Sequence, residues 1–127
     1  MAKRMICLDT NYLIRGIVQG TRESASLIEW VKSGEQLIVP MPVWFEFLCG
    51  PVTENQVMTL RSFLSEIIPF GESEAFESAR LFNAIQRKRQ HRIDLMIAGT
   101  AIIANAKLAT NNRADFEPFV RYGLKMI

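Results

Sequence analysis

Short apolar runs, each stopped abruptly by a polar residue or a proline and separated by stretches with helical spacing, constrain this chain more than any other feature. Met5-Ile6-Cys7-Leu8 ends in Asp9-Thr10-Asn11, Leu37-Ile38-Val39 ends in Pro40, and Lys107-Leu108-Ala109-Thr110 runs into Asn111-Asn112. Runs of three or four apolar residues bounded by breakers read as buried strands. Ile67-Ile68-Pro69-Phe70 is a third strand, placed at a sheet edge by its proline, and Leu124–Ile127 is a last one. Between them, Tyr12–Val18 reads as a short helix closed by Gly20, and Ser24–Lys32 as a helix with Leu27, Ile28 and Val31 on one face. Pro42 opens Val43–Cys49, and Thr53 with Gln56 starts a helix to about Glu66. A long amphipathic helix begins near Ser73, and Asp94 to about Ala106 is a helix rich in small residues. Strands that alternate with helices require a parallel sheet covered on both faces. The expectation is therefore an α/β fold of three layers, α/β/α, with a central parallel sheet of four to five strands.

At 127 residues the chain fits a single domain, 1–127, with a core large enough to dispense with disulfides. Apolar residues make up 49%, against seven glycines and five prolines, which excludes a disordered or fibrous chain. Cys7 and Cys49 both lie in apolar runs and read as buried free thiols of a reducing, cytoplasmic setting. Met1-Ala2-Lys3-Arg4 begins like a signal peptide, but its apolar run ends at Asp9. No apolar stretch approaches the roughly 18 residues of a membrane span. The lone histidine, His91, excludes a multi-histidine metal site.

In parallel sheets the ligand cleft lies beyond the carboxyl ends of the strands, which is where this chain keeps its acids. Asp9 follows the first strand, as a helix cap or a site acid, roles that are compatible. Glu46 is the lone charge in Met41-Pro42-Val43-Trp44-Phe45-Glu46-Phe47-Leu48-Cys49. If that helix is buried all round, Glu46 needs a partner or a cation; otherwise it marks a solvent-facing stripe with Val43 and Gly50. Asp94 opens the small-residue helix as a cap or a site acid, and Thr110-Asn111-Asn112-Arg113-Ala114-Asp115 forms a polar turn. Carboxylates converging on one cleft repel unless a divalent cation neutralises them, and oxygen ligands suit Mg²⁺ or Mn²⁺. Such a centre hydrolyses phosphodiesters.

These pieces, in this order, resemble the PIN-domain ribonucleases, particularly the toxins of VapBC-type toxin–antitoxin pairs. The resemblance rests on Leu8-Asp9-Thr10-Asn11, Val43–Gly50, Asp94–Ala101 and Leu108–Asn112 followed by Asp115-Phe116. It implies a PIN-like domain in which Asp9 and Asp94 hold the metal most directly. Glu46 then coordinates a second ion or orients the attacking water, and Thr10, Asn11 and Thr110 line the site. Many members carry an acid where this chain has Asn112, whose carbonyl oxygen can still ligate, and Asp115 can substitute directly or through water.

An RNA substrate requires positive charge around the acids. Arg87, Lys88, Arg89 and Arg92 precede Asp94 and Arg113 adjoins the polar turn; alone they read equally as a solubilising charged helix end, and the resemblance favours contact with the RNA backbone. Tyr12, Trp44 and Phe45 are candidate stacking groups, with core packing favoured for Phe45. The resemblance also implies a small antitoxin partner and a homodimer, with Phe47-Leu48 and Val57–Phe63 as candidate surface. A haloacid-dehalogenase-type phosphatase is disfavoured by Asn11 where a second acid is needed, and a receiver domain by the lack of an acid after the third strand. The alternative that remains is a catalytically weak or inactive PIN domain serving as an RNA-binding or interaction module.

Overall fold

A computed structural model describes residues 4–86 and 92–127. Its centre is β1 (Met5–Leu8), whose Ile6, Cys7 and Leu8 are fully buried. On one side lie β2 (Gln36–Pro40) and β3 (Glu66–Ile68), on the other β4 (Lys107–Ala109) and β5 (Lys125–Met126), giving the order β3-β2-β1-β4-β5. Every pairing is parallel, and Cys7 stands in register with both Ile38 and Leu108. The expected sheet thus has five strands. β3, with Pro69 after it, is an edge as its sequence required.

The helices are α1 (Thr10–Gly16), α2 (Arg22–Lys32), α3 (Met41–Cys49), α4 (Glu54–Phe63), α5 (Glu72–Ala84), α6 (Arg92–Ile103) and α7 (Arg113–Phe116). Their starts follow local chemistry. Thr21 accepts from the Ser24 amide at 3.0 Å, and Thr53 and Gln56 form a reciprocal capping box. α4 stops at Phe63 rather than near Glu66, because Glu66 is drawn into register beside Ile38. α6 stops at Ile103, and Asn105 turns the chain into β4 at φ +54°. No helix among the described residues is long and apolar enough to cross a membrane.

The small residues of α6 bring it tight against α5. A Cβ on Gly99 would lie 2.2 Å from Ser78 Oγ and 3.0 Å from the Ser78 amide nitrogen. Downstream, the segment expected as a polar turn winds into α7 and a 3₁₀ stretch, Glu117–Tyr122. Phe116 and Phe119 anchor it, fully buried and edge to face at 6.5 Å between ring centres.

Three burial expectations are corrected. α3 is not buried all round: Val43 and Phe47 face the core, whereas Met41, Phe45, Glu46, Leu48 and Cys49 face outward. Glu46 therefore escapes the desolvation cost of a buried carboxylate, and its exposed stripe does not include Val43. Phe45 is 66% exposed rather than packed in the core. Cys49 is exposed while Cys7 is buried, because nine residues of helix with two inward positions leave the last turn uncovered.

Candidate active site

β1 and β4 are adjacent parallel strands, so their carboxyl ends deliver Asp9 and Thr110 to the same place. The Asp9 amide donates to the Ala109 carbonyl at 3.1 Å, which continues the ladder one residue past the strands. The Asp9 carboxylate is 5% exposed. Its Oδ1 accepts from the Thr10 amide at 2.7 Å, capping α1, and its Oδ2 accepts from Thr110 Oγ1 at 2.7 Å. The cap role expected of Asp9 is thus present.

Asp9 is electrostatically uncomfortable. Burial pushes its carboxyl above the usual carboxylate range, the bonds from Thr110 and Thr10 pull it back, and the Asp115 charge pushes it up again. Asp115 on α7 is therefore close enough to act on Asp9, while remaining exposed itself. Beside them, the Thr10 hydroxyl is buried with no hydrogen-bond partner. A raised carboxylate and an orphaned hydroxyl oxygen fit a hard cation, which would stabilise the charged form of the first and use the lone pairs of the second.

The turn after β4 is held by its own threonine: the Asn112 amide donates to Thr110 Oγ1 at 2.9 Å. Asn112 is exposed at the start of α7, and its side chain makes no cap bond. Asn11 is half-buried in the first turn of α1. Asp94 sits half-buried in the first turn of α6, and Glu46 is exposed on α3, which packs against both α1 and α6. Among the described residues, no three or more His, Cys, Asp or Glu side chains are gathered closely enough to hold a metal ion between them. Asp9, Thr10, Thr110, Asn112 and Asp115 are the candidates that the structure brings together.

Sequence reasoning missed Glu23. It looked like an ordinary first-turn acid of α2, yet it is 2% exposed. Its Oε1 accepts from Arg15 Nε at 2.9 Å and its Oε2 from Asn111 Nδ2 at 3.4 Å, while Arg22 Nη2 donates to Asn111 Oδ1 at 3.2 Å. The Arg15 guanidinium foremost holds the Glu23 carboxyl below its usual range. The only sequence signal was the Gly20 turn, at φ +86°, which folds α2 back beside α1.

Arg87, Lys88 and Arg89 lie outside the described residues. Arg92 places its guanidinium 4.6 Å from the centre of the Phe82 ring, and Arg113 donates to the carbonyl of Ile127. Arg15 and Arg22, which the sequence reading passed over, are the cations tied to the turn. Of the candidate stacking groups, Tyr12 stacks on Trp30 at 5.8 Å and Trp44 tilts against Phe47 at 5.4 Å, leaving Phe45 as the open ring.

The model of the PIN domain matches residues 6–121, nearly the whole chain. The chain belongs to the PIN domain family. Among PIN relatives, ribonuclease VapC19 of Mycobacterium tuberculosis is 29% identical over 121 residues, covering 91% of this chain and 94% of that protein. Among solved structures, VapBC2 from Rickettsia felis, bound to a DNA fragment from its promoter, aligns with a TM-score of 0.72 at 26% identity, over 97% of both chains. A toxin–antitoxin complex from Klebsiella pneumoniae aligns with a TM-score of 0.68 at 28% identity, over 87% of this chain and 89% of its own. The three-layer PIN-like architecture read from the sequence is the one present.

Proposed function

We propose that this PIN domain is a metal-dependent endoribonuclease, the toxin of a VapBC-type pair, using Mg²⁺ or Mn²⁺. The observation that carries the reading is the buried Asp9 carboxylate, raised by burial and by Asp115 beside the unpartnered Thr10 hydroxyl, in a PIN domain whose relatives include a ribonuclease and toxin–antitoxin complexes.

In this reading Asp9 and Asp94 hold the cation, with Glu46 placing a second ion or the attacking water. Asn112 contributes its side-chain oxygen, Asp115 acts directly or through water, and Thr10, Asn11 and Thr110 line the site. What the cation supplies is a more acidic bound water and stabilisation of the charge that develops on an in-line phosphoryl displacement. Thr110 fixes which Asp9 lone pairs stay open, because its hydrogen bond occupies one side of Oδ2. Arg87, Lys88, Arg89, Arg92 and Arg113 meet the RNA backbone, a small antitoxin covers the protein when silent, and the working form is a cytoplasmic homodimer.

Purified protein incubated with structured RNAs is the test. Cleavage in Mn²⁺ that disappears in EDTA and in Asp9→Asn and Asp94→Asn supports the reading; cleavage that persists in any of these overturns it. A second reading, an RNA-binding PIN module without cleavage, is favoured by Asn112 at the position of an acid and by the dispersed carboxylates. RNA retained intact in Mn²⁺ would establish it.

A further inference from the structure

In the first turn of α2, a buried acid is tied to the site through the turn after β4. Glu23 is anchored by Arg15 at 2.9 Å and reaches Asn111 at 3.4 Å. Asn111 is clamped from its other end by Arg22 at 3.2 Å. The next residue, Asn112, donates its amide to Thr110 Oγ1, and Thr110 donates to Asp9 Oδ2. Helix α2 thus reaches this turn through Arg22 and Glu23. Burying a carboxylate is costly unless its partners hold it, and here the partners are two arginines and the turn itself.

We infer that Glu23 is a positioning residue, which with Asn111 fixes the Thr110–Asn112 turn and thereby the orientation of the Asp9 carboxylate. Its effect on cleavage rests on the nuclease reading, but its effect on the turn does not. The arrangement has the logic of outer partners that orient metal-binding groups, whose removal commonly costs about 10- to 100-fold in affinity or activity. The Glu23–Arg15 pair spans α1 and α2, so the element that carries Asp9 and the element that braces the turn move as one body.

The test uses Glu23→Ala, Glu23→Gln and Asn111→Ala, the last on an exposed residue whose loss leaves the Glu23–Arg15 pair intact. In metal-free protein, hydrogen exchange of the Asn112 amide is followed by NMR. We expect it to quicken in Glu23→Ala and Asn111→Ala, with Glu23→Gln between those and the wild type. In the presence of Mn²⁺ and RNA, both Ala variants are expected to lose about tenfold in kcat at unchanged KM. Because they break one chain of contacts, the double variant should be no worse than Glu23→Ala alone. Unchanged Asn112 exchange in both Ala variants overturns the inference whether or not RNA is cut. So does a raised KM at unchanged kcat, which would make the group an RNA contact, and so does full additivity. A wild type that leaves RNA intact while the exchange responds as described refutes the nuclease reading alone.

Discussion

Asp9 and Glu23 are two nearly buried carboxylates at one end of the sheet, and their surroundings drive them in opposite directions. Burial leads for Asp9 and raises its pKa, so the folded protein takes up a proton more readily than the unfolded chain. Stability from this group is therefore greatest when it is protonated, and falls as pH climbs from the ordinary carboxylate value through the raised one. Asp9→Asn should accordingly melt higher than wild type at neutral pH, a difference that narrows as the pH is lowered through the carboxylate range. Nuclease activity should vanish in the same variant. Glu23 has the reverse sign: its lowered pKa gives stability that is complete above the usual value of 4.5 and lost as pH drops through the folded value. Melting curves of wild type and Glu23→Gln should separate at neutral pH and converge in acid; curves that stay parallel would contradict the ion pair. The two thiols offer a simpler check. Burial, with the Asp9 charge second, pushes the Cys7 thiol up, whereas Cys49 is exposed. Native protein should titrate one thiol with a disulfide reagent, and unfolded protein two.

At the scale of elements, the strands and most helix starts were legible because their signals are local. Asp9 at a strand end, Thr53 with Gln56, and Pro69 at an edge each act within a few residues. The failures share a cause: they depend on what packs where. Periodicity cannot say that α3 offers only Val43 and Phe47 to the core, so it misplaces Phe45 and Cys49 and leaves Glu46 open between burial and a solvent-facing stripe. The helical turns after Asn112 were hidden in a polar stretch whose Phe116–Phe119 spacing was the available clue. Asp9, Thr10, Thr110 and Asp115 could be picked out because they stand beside strand ends; Glu23 could not, since its burial arises from α1 lying across α2. The α5–α6 contact carries its own prediction. Gly99→Ala forces a methyl group into Ser78, including its backbone, and should cost about 1–3 kcal/mol in urea unfolding. A Ser78→Ala background removes only the hydroxyl and should recover part of that loss.

For the whole molecule, a charge of +2 is an uninformative sum over an informative distribution. Asp9 and Asp115 lie beyond the sheet's carboxyl edge, and Arg22 and Arg113 adjoin the turn after β4. Binding to the folded form alone stabilises by about 2.7 kcal/mol when ligand is a hundredfold above its dissociation constant. Mn²⁺ should therefore raise the melting temperature of wild type and leave that of Asp9→Asn where it was. An equal rise in both would place the ion elsewhere.

The hydrogen bond between Thr110 and Asp9 joins residues 101 positions apart, across strands at the first and last thirds of the chain. Contacts of that separation close late, after the loop between them has been ordered. Synthesis from the amino terminus makes Asp9 before Thr110, and β5 later still. A fragment ending before β4 lacks Thr110 and Asp115 and holds an incomplete centre. The hydroxyl that holds Asp9 Oδ2 is therefore in place only when β1 and β4 have paired, so the centre is assembled by tertiary folding and not by any local segment.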